Sequence, residues 1–397
     1  MPLDFRLTDE QKQLVDAAQA AFTVIRERHA KLRASEIQRA ALEDVWRALA
    51  ELGFQGFVVP KAYGGSEKGL LASVLVLEQL GEAGLHSFLP ILSSMDTVCI
   101  VKKGAEPLKQ SILPDIASGE LKLCFAATEE VAGFNVFNIK MFTEKQGDNY
   151  LVNGTKVYVS GLDIADYMLL VARTLTMEEC RKQGLPKTHG LSLFMVDTKS
   201  KGLAKQAMPS RGEGVLTQFR LSLRDVKIPA EHLLGEEHGG AAVMFQAFNP
   251  ERILSAAVAT GVARYCLKLA CDYAKKRKVF GDTAIGAYQS IQHPLAEVAM
   301  RIDALKWTTY RAAWQFDAGE KASAVAESAN AAKFLSAEVV QKAVDAAIDC
   351  FGGKGFDEDY GVVHLLEFAR FLKTSPISNA LILNQTAEKV LGLKRSY

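Results

Sequence analysis

Read by the alternation of apolar and polar positions, the chain falls into a helical stretch, a strand-rich stretch and a second helical stretch. Thr8 with Gln11 three residues later has the form of a capping box, which predicts a helix running to about Arg28. Leu42, Val45, Trp46, Leu49 and Leu52 recur at helical spacing and make a second amphipathic face. Val59-Pro60 and Tyr63-Gly64-Gly65 break that pattern into a loop. Helix resumes over residues 70–80 and continues, less regularly, to about Ala117. Near Leu121 the pattern shifts: residues 121–128, 150–160, 167–173, 191–197 and 217–228 are short segments enriched in strand formers. No long helix separates them, which favours an antiparallel barrel or sandwich over a parallel sheet. Asn153-Gly154, inside the second segment, reads as a hairpin turn. From Gly239 the helical period returns over 240–247, 250–278, 288–317, 320–350 and 362–392, and four long helices make a bundle.

Within that bundle the 250–278 helix stands out. Asn249 has the side chain of an N-cap, and Pro250 fits the first helical position, where a missing N–H is harmless. Ile253, Ala256, Ala257, Thr260, Ala263, Leu267, Ala270 and Ala274 put mostly small side chains on one narrow face, which lets other helices approach closely. Leu295, Val298, Ala299, Ile302 and Leu305 mark the buried face of the next helix. A carboxylate, Glu251, stands at one end of the first helix and a cation, Arg277, about seven turns away at the other. The Gly352-Gly353-Lys354-Gly355 turn reads as a helix-ending glycine cluster, with a phosphate cradle as the alternative.

Length sets the domain count at two or three: 397 residues exceed one small core. The expected boundaries are 1–118 for a helical domain, 119–236 for a β-barrel domain and 237–397 for the four-helix bundle. Charge is balanced, 47 basic against 46 acidic side chains with no basic block, which argues against nucleic acid or an anionic membrane as a partner. The six cysteines form no Cys-x-x-Cys pair and the seven histidines show no metal-ligand spacing, so reduced thiols and no structural metal are expected. No apolar run approaches the roughly 18 residues needed to span a bilayer, and the start of the chain has no leader pattern. The expectation is a soluble, cytoplasmic protein.

Several motifs in this order resemble the acyl-CoA dehydrogenase family of flavoproteins over essentially the full chain. Phe125, Ala127 and Thr128, in the stretch CFAATEEVAGFN, are similar to the family's first flavin strand and loop. Tyr158 and Ser160, in Lys156-Val157-Tyr158-Val159-Ser160, resemble the second, where an aromatic ring packs on the flavin and a hydroxyl donates toward it. Arg277 and Phe280, in the run Arg277-Lys278-Val279-Phe280-Gly281, with Gln289 beyond, resemble the segment that reaches the flavin pyrophosphate of a neighbouring subunit. Asp349, Gly352 and Gly353 match the C-terminal glycine turn near the same cofactor, and Ser378 falls in a further cofactor position. The resemblance implies FAD, an acyl-CoA substrate oxidised across Cα–Cβ, an electron-transfer flavoprotein as acceptor and a homotetramer, or a hetero-oligomer with a related subunit.

The base is implied the same way. Most of the family carries it in a Tyr-Glu-Gly-Thr motif near the C-terminus, where this chain has Ser375-Pro376-Ile377-Ser378 and no carboxylate. A minority, including isovaleryl-CoA and long-chain enzymes, supplies it from the residue before the bundle-helix arginine, which here is Glu251; its other reading is a glutamate complementing the helix dipole. Asn249 and Arg252 stand beside it as substrate contacts, or as a cap and a loop brace. The pattern departs from the family at four places. Phe134 replaces a serine, Tyr158 and Ser160 replace tryptophan and threonine, Asp349 replaces a glutamine near a pyrophosphate, and Pro376 has no amide to donate to a thioester carbonyl. Phe134 is thereby a substrate-side residue. These departures motivate two alternatives: a non-catalytic subunit of a mixed oligomer, or a family member running oxidase or elimination chemistry.

Overall fold

In the computed structural model, which describes residues 5–211 and 216–395, the elements follow the chain in the order the periodicity implies. Six helices come first: α1 (Asp9–Arg28), α2 (Ala34–Ala40), α3 (Leu42–Glu51), α4 (Gly69–Glu82), α5 (Leu89–Lys103) and α6 (Glu106–Ser118). The middle holds β1 (Leu123–Ala126), β2 (Phe142–Gln146), β3 (Asn149–Ser160), β4 (Tyr167–Arg173), the short α7 (Met177–Lys182), β5 (Leu191–Asp197), β6 (Leu203–Met208), β7 (Gln218–Pro229) and β8 (Leu233–Leu234). The last helices are α8 (Gly240–Lys276), α9 (Gln289–Asp317), α10 (Ala322–Phe351), α11 (Leu365–Leu372) and α12 (Asn379–Lys389). Two compact units result. Segments up to Phe54, Lys68–Ser87 and from Arg252 onward form a helical unit; Gln55–Glu67 and Phe88–Glu251 form the unit that carries the sheet.

In the helical unit the local signals operate as their chemistry requires. Thr8 Oγ1 accepts the Gln11 amide at 3.2 Å and Gln11 Oε1 accepts the Thr8 amide at 3.0 Å, closing the capping box on α1. Leu42, Val45, Trp46 and Leu49 are all buried on α3. Every position of the expected small-residue face of α8 is buried except the half-buried Leu267, and over Arg252–Ala263 the remaining residues are buried as well, so this stretch is enclosed all round. Two glycines permit this. A Cβ at Gly261 would lie 2.1 Å from the Glu78 carbonyl oxygen, and one at Gly81 would lie 2.4 Å from that of Val258, so α4 and α8 cross with their backbones in contact. Beside the crossing, buried Glu78 is ion-paired with Arg264 and accepts the Tyr310 hydroxyl at 2.7 Å; burial raises its pKa.

Two other readings of this unit change. On α9, Leu295, Val298, Ile302 and Leu305 are buried as expected, but Ala299 is exposed: it lies a quarter turn past Val298, at the edge of the stripe. The expected helix over 362–392 is two short helices. Pro376 supplies no amide hydrogen within the break, and Ser378 Oγ starts α12 by accepting the Leu381 amide at 3.2 Å. Buried Lys333 on α10 fastens both pieces, donating to the Leu372 carbonyl and, at 2.9 Å, to Asn379 Oδ1.

The sheet-bearing unit corrects the expected antiparallel barrel. Its eight strands run in the order β6-β7-β3-β2-β4-β5-β8, with β1 added beside β4, and no pairing joins β6 to β8 among the described residues, so the sheet is open. It is also mixed, because β1 and β2 both pair with β4 in parallel. One face packs on α5, α6 and the start of α8 through Met95, Cys99, Leu113, Leu169, Leu193 and Met244. The other holds a separate core around Tyr150, Val152, Phe194 and Leu221. β2 and β6 escape the apolar pattern because most of their side chains face solvent.

The expected hairpin at Asn153-Gly154 is corrected as well. β3 passes straight through it, and the turn lies earlier, at Gly147-Asp148, where Gln146 pairs with Asn149 and Gly147 has φ +59°. Gly154 instead sits at a register shift against β7, with φ +146° and Met141 within 2.9 Å of the position a Cβ would take. Its glycine serves a bulge and a close approach. α8 also holds an 18-residue window of mean hydropathy 1.3, contrary to the expectation of no such run; 72% of the window is buried within the fold.

Gly261→Val should lower the thermal midpoint sharply, because the clash is with main-chain atoms that no rotamer change relieves and overpacking alone costs about 1–3 kcal/mol. An unchanged midpoint in a thermal melt would contradict the backbone contact.

Candidate active site

On the sheet-bearing unit the sequence-predicted residues gather around the loop after β1 and the end of β3. The Thr128 carbonyl accepts the Val157 amide at 2.9 Å, which puts Ala127 and Thr128 beside Tyr158. Lys156, wholly buried, clamps this junction: Nζ donates to the Ala127 carbonyl at 2.8 Å and to Glu129 Oε1 at 2.9 Å. Glu129 in turn accepts the Lys140 and Met141 amides at 2.6 and 3.0 Å, tying both ends of the loop that carries Phe134. Burial pulls the Lys156 ammonium down to about 8, against the pull of Glu129. The sequence reading did not single out this pair, although Lys156 in an otherwise apolar strand end was its signal.

Tyr158 is the strained member. It lies where β3 gains an extra residue against β7, between Lys156 and Val159, and its φ of +56° is left-handed for a tyrosine. The bulge turns its ring outward, 56% exposed, while Val157 and Val159 stay buried. Ser160 and Gln218 face each other across β3 and β7 within hydrogen-bond distance, at 2.7 to 3.0 Å. Phe125 is half-buried against the helix-facing core, and Phe134 is 62% exposed on its loop.

Glu251 belongs to the same unit, and its surroundings alter its reading. α8 begins at Gly240, with Pro250 inside it, so Asn249 is a buried interior residue and the expectation that it caps the helix is corrected. The preceding stretch is itself helical and mostly buried, with Ala242 and Phe245 exposed, and Pro250 only deprives the Gln246 carbonyl of one helical bond. Glu251 therefore stands about three turns inside α8, far from the terminal dipole that would explain it structurally. The first part of α8 lies along α5: Cys99 Sγ meets the Val243 carbonyl at 3.5 Å, and Lys102 Nζ meets Gln246 Oε1 at 3.2 Å. One turn further along α5, Asp96 is completely buried and feels the charge of Glu251. Sequence reading missed Asp96, the lone charge between Ile91 and Val101.

The helical unit carries the other predicted residues. Arg252 is buried at the head of its share of α8. Arg277 is exposed just past the end of α8 and opens a tight turn, in which Lys278 bridges to Ala284 and Phe280, at φ +52° and 97% exposed, forms the tip. Gln289 is exposed at the first position of α9. Stacking of Tyr273 on Phe351, with centroids 4.3 Å apart, joins the ends of α8 and α10 and brings Arg277 to the same end of the bundle as the glycine turn. Asp349 is exposed on the last turn of α10. Gly352 ends that helix with φ +58°, as the helix-ending reading requires, and Gly353 is exposed beside it. Ser378 is not brought to that end. Its neighbour Asn379 reaches Glu338 of α10 at 3.2 Å, roughly 21 Å of helix rise before Gly352.

Comparison with known proteins accounts for this arrangement. Three family models match in succession: the N-terminal domain of acyl-CoA dehydrogenase over residues 8–120, the middle domain over 124–226 and the C-terminal domain over 238–389. Acyl-CoA dehydrogenase FadE12 of Mycobacterium tuberculosis (strain ATCC 25618 / H37Rv) is 37% identical over 355 residues, 89% of each chain. The mitochondrial isovaleryl-CoA dehydrogenase of Pongo abelii is 30% identical, covering 92% of this chain and 84% of that one. Among solved structures, a glutaryl-coenzyme A dehydrogenase in complex with glutaryl-CoA superposes with a TM-score of 0.90 at 27% identity, covering 99% of this chain and 98% of that one. Butyryl-CoA dehydrogenase from Megasphaera elsdenii gives 0.86 at 26% identity, covering 98% and 100%. By sequence over nearly its whole length and by fold, the chain belongs to the acyl-CoA dehydrogenase family.

Proposed function

We propose that this protein is an FAD-dependent acyl-CoA dehydrogenase in which Glu251 removes the α-proton of an acyl-CoA thioester. The observation that carries the reading is the place of Glu251: a half-buried carboxylate well inside α8, with no helix end to serve. The relatives named above are dehydrogenases of acyl-CoA thioesters by their names.

The side chains fit a flavin. Tyr158 holds an outward ring on a bulge that fixes its direction, Ser160 and Gln218 supply donors on adjacent strands, and Arg277 offers an exposed cation at the bundle end. Thr128, Ala127 and Phe125 frame the strand and loop next to Tyr158, and Phe280, Gln289, Gly352 and Gly353 surround the Arg277 end. Asp349 is the member that does not complement a pyrophosphate. When bound, FAD supplies two-electron acceptance at the substrate β-carbon. The protein's own part is to orient the thioester so that the Cα–H points at Glu251. The α-proton passes to the Glu251 carboxylate, the β-hydrogen leaves with its electron pair, and the Cα–Cβ bond becomes double. Asn249, Arg252 and Phe134 are the residues we assign to the substrate side, and Ser378 is kept as a cofactor contact on family resemblance alone. We further assign the reduced cofactor to an electron-transfer flavoprotein and the assembly to a homotetramer, as the family pattern implies, and the compartment to the cytoplasm, on the sequence reading alone.

Glu251→Gln keeps the shape and removes the base; it should retain FAD and acyl-CoA binding while anaerobic flavin bleaching slows by roughly 10²–10⁴-fold. Bleaching at the wild-type rate would remove Glu251 from the mechanism. The same experiment on the wild type, with a panel of short, branched, long and steroid-like acyl-CoAs, identifies the substrate class, and a chain that takes up no added FAD would be a non-catalytic subunit. Arg277→Ala should lower the flavin-to-chain ratio after gel filtration; an unaltered ratio would leave Arg277 a surface cation.

A further inference from the structure

The helical unit also holds a cavity of about 620 Å³, a size at which proteins commonly bind small molecules. It lies between α10 and α12, with the end of α9 closing one side. The spacing along α10 explains why it is there. Ala324, Ser328, Ala331 and Leu335 recur at helical intervals, so one face of α10 offers three small side chains that do not fill the space beside α12. Phe334, Leu335 and Ile382 make much of the lining apolar. None of its residues is among those assigned to the thioester or the flavin.

Three polar side chains in this lining are left with unmet groups. Ser328 is 5% exposed, and its hydroxyl makes no hydrogen bond among the described residues. Asn330, 4% exposed, donates from Nδ2 to Gln385 Oε1 at 3.0 Å, while its Oδ1 is buried without a partner. Gln315 donates from Nε2 to Glu320 Oε2 at 2.8 Å; a carboxylate only accepts, so this bond fixes the amide and leaves Oε1 as a buried acceptor with no donor. A leucine at either amide would strand nothing, so the two oxygens are costly where they stand. The terminal torsion of an amide is soft, which lets each oxygen turn toward a donor in the lumen.

Charge selects the rest of the ligand. Arg311 of α9 is exposed with no ion pair among the described residues, and Lys389 stands on α12; against these two cations the lining has one acid, Glu327. The balance favours an anion. A hydroxyl supplies the missing donor without the positive charge that an ammonium would bring beside Arg311 and Lys389.

We propose that this cavity is a second ligand site, which takes a medium-chain hydroxycarboxylic acid. The alkyl body lies along Phe334, Leu335 and Ile382, the hydroxyl donates to Asn330 Oδ1, and the carboxylate meets Arg311.

The test is calorimetric titration of the FAD-loaded protein with 3-hydroxydecanoate, decanoate and adenosine monophosphate. The hydroxy acid should bind saturably at one site per chain, about tenfold or more tighter than decanoate, because only it satisfies the buried oxygen. Arg311→Ala should weaken both acids by about tenfold, and Asn330→Leu should erase the preference between them. Ala331→Phe, which fills the cavity from α10, should abolish binding while flavin content stays at the wild-type value. If Ala331→Phe does not fold, Arg311→Ala, a change at an exposed position, still decides the matter. No saturable binding, or an affinity indifferent to Arg311→Ala and Asn330→Leu, overturns the proposal. Tighter binding of the nucleotide than of either acid overturns the ligand class. Dissociation of the assembly by Ala331→Phe in sedimentation, without acid binding in wild type, would make the cavity a contact between copies of the chain and overturn the proposal as well.

Discussion

The buried pair of Lys156 and Glu129 is the constraint on which the candidate site residues of the sheet-bearing unit depend. A full charge is placed where water cannot reach it, and it is tolerable only because the ammonium meets a carboxylate and a carbonyl while the carboxylate also gathers two backbone amides. That set of bonds decides where the loop after β1 leaves the sheet and where β3 must take its extra residue. The outward ring of Tyr158 is a consequence of that displaced register, and the strain at its φ of +56° is borne by the clamp two residues away. Arg173 does similar work from β4, spending its guanidinium on the carbonyls of Phe137, Ile139, Leu175, Lys187 and His189 rather than on an acid. Loops on this unit are thus held by buried cations as well as by the apolar contacts of Ala132, Val136, Phe137 and Ile139.

The second dependence is on helix length. Had α8 begun at Asn249, Glu251 would sit in a first turn where any glutamate is at home. Because eleven residues of helix precede it, including Pro250, the carboxylate stands in the helix interior, where its charge acts on buried Asp96 of α5.

Signals confined to a few neighbouring residues were legible in the sequence. Thr8 with Gln11, the apolar face of α3 and the order of helix, strand and helix need only local spacing. The misread positions are those where one residue type serves two geometries. Asn153-Gly154 has the chemistry of a tight turn, but a positive φ is equally what a bulge demands, and only the approach of Met141 from β2's leading edge tells them apart. Asn249-Pro250 has the chemistry of a helix start, yet proline also survives inside a helix when burial holds both sides. Barrel closure depended on strands that show no apolar period, β2 and β6. Among the candidate site residues, Glu251, Tyr158 and Arg277 were proposed by motif, whereas Asp96 and Arg173 belong to no motif, and they, like Lys156 within the second flavin-strand motif, declare themselves only by being charged and buried.

The crossing of α4 and α8 at Gly81 and Gly261 makes contact through main-chain atoms, and main-chain positions do not hop between rotamers. Side chains along the rest of both helices can therefore be exchanged, enlarging or shrinking the space around them, without resetting the distance between the axes. Such a joint works as a fixed pivot for divergence: it lets a lineage try many ligand shapes on one frame, while leaving the two glycines themselves almost no freedom to vary.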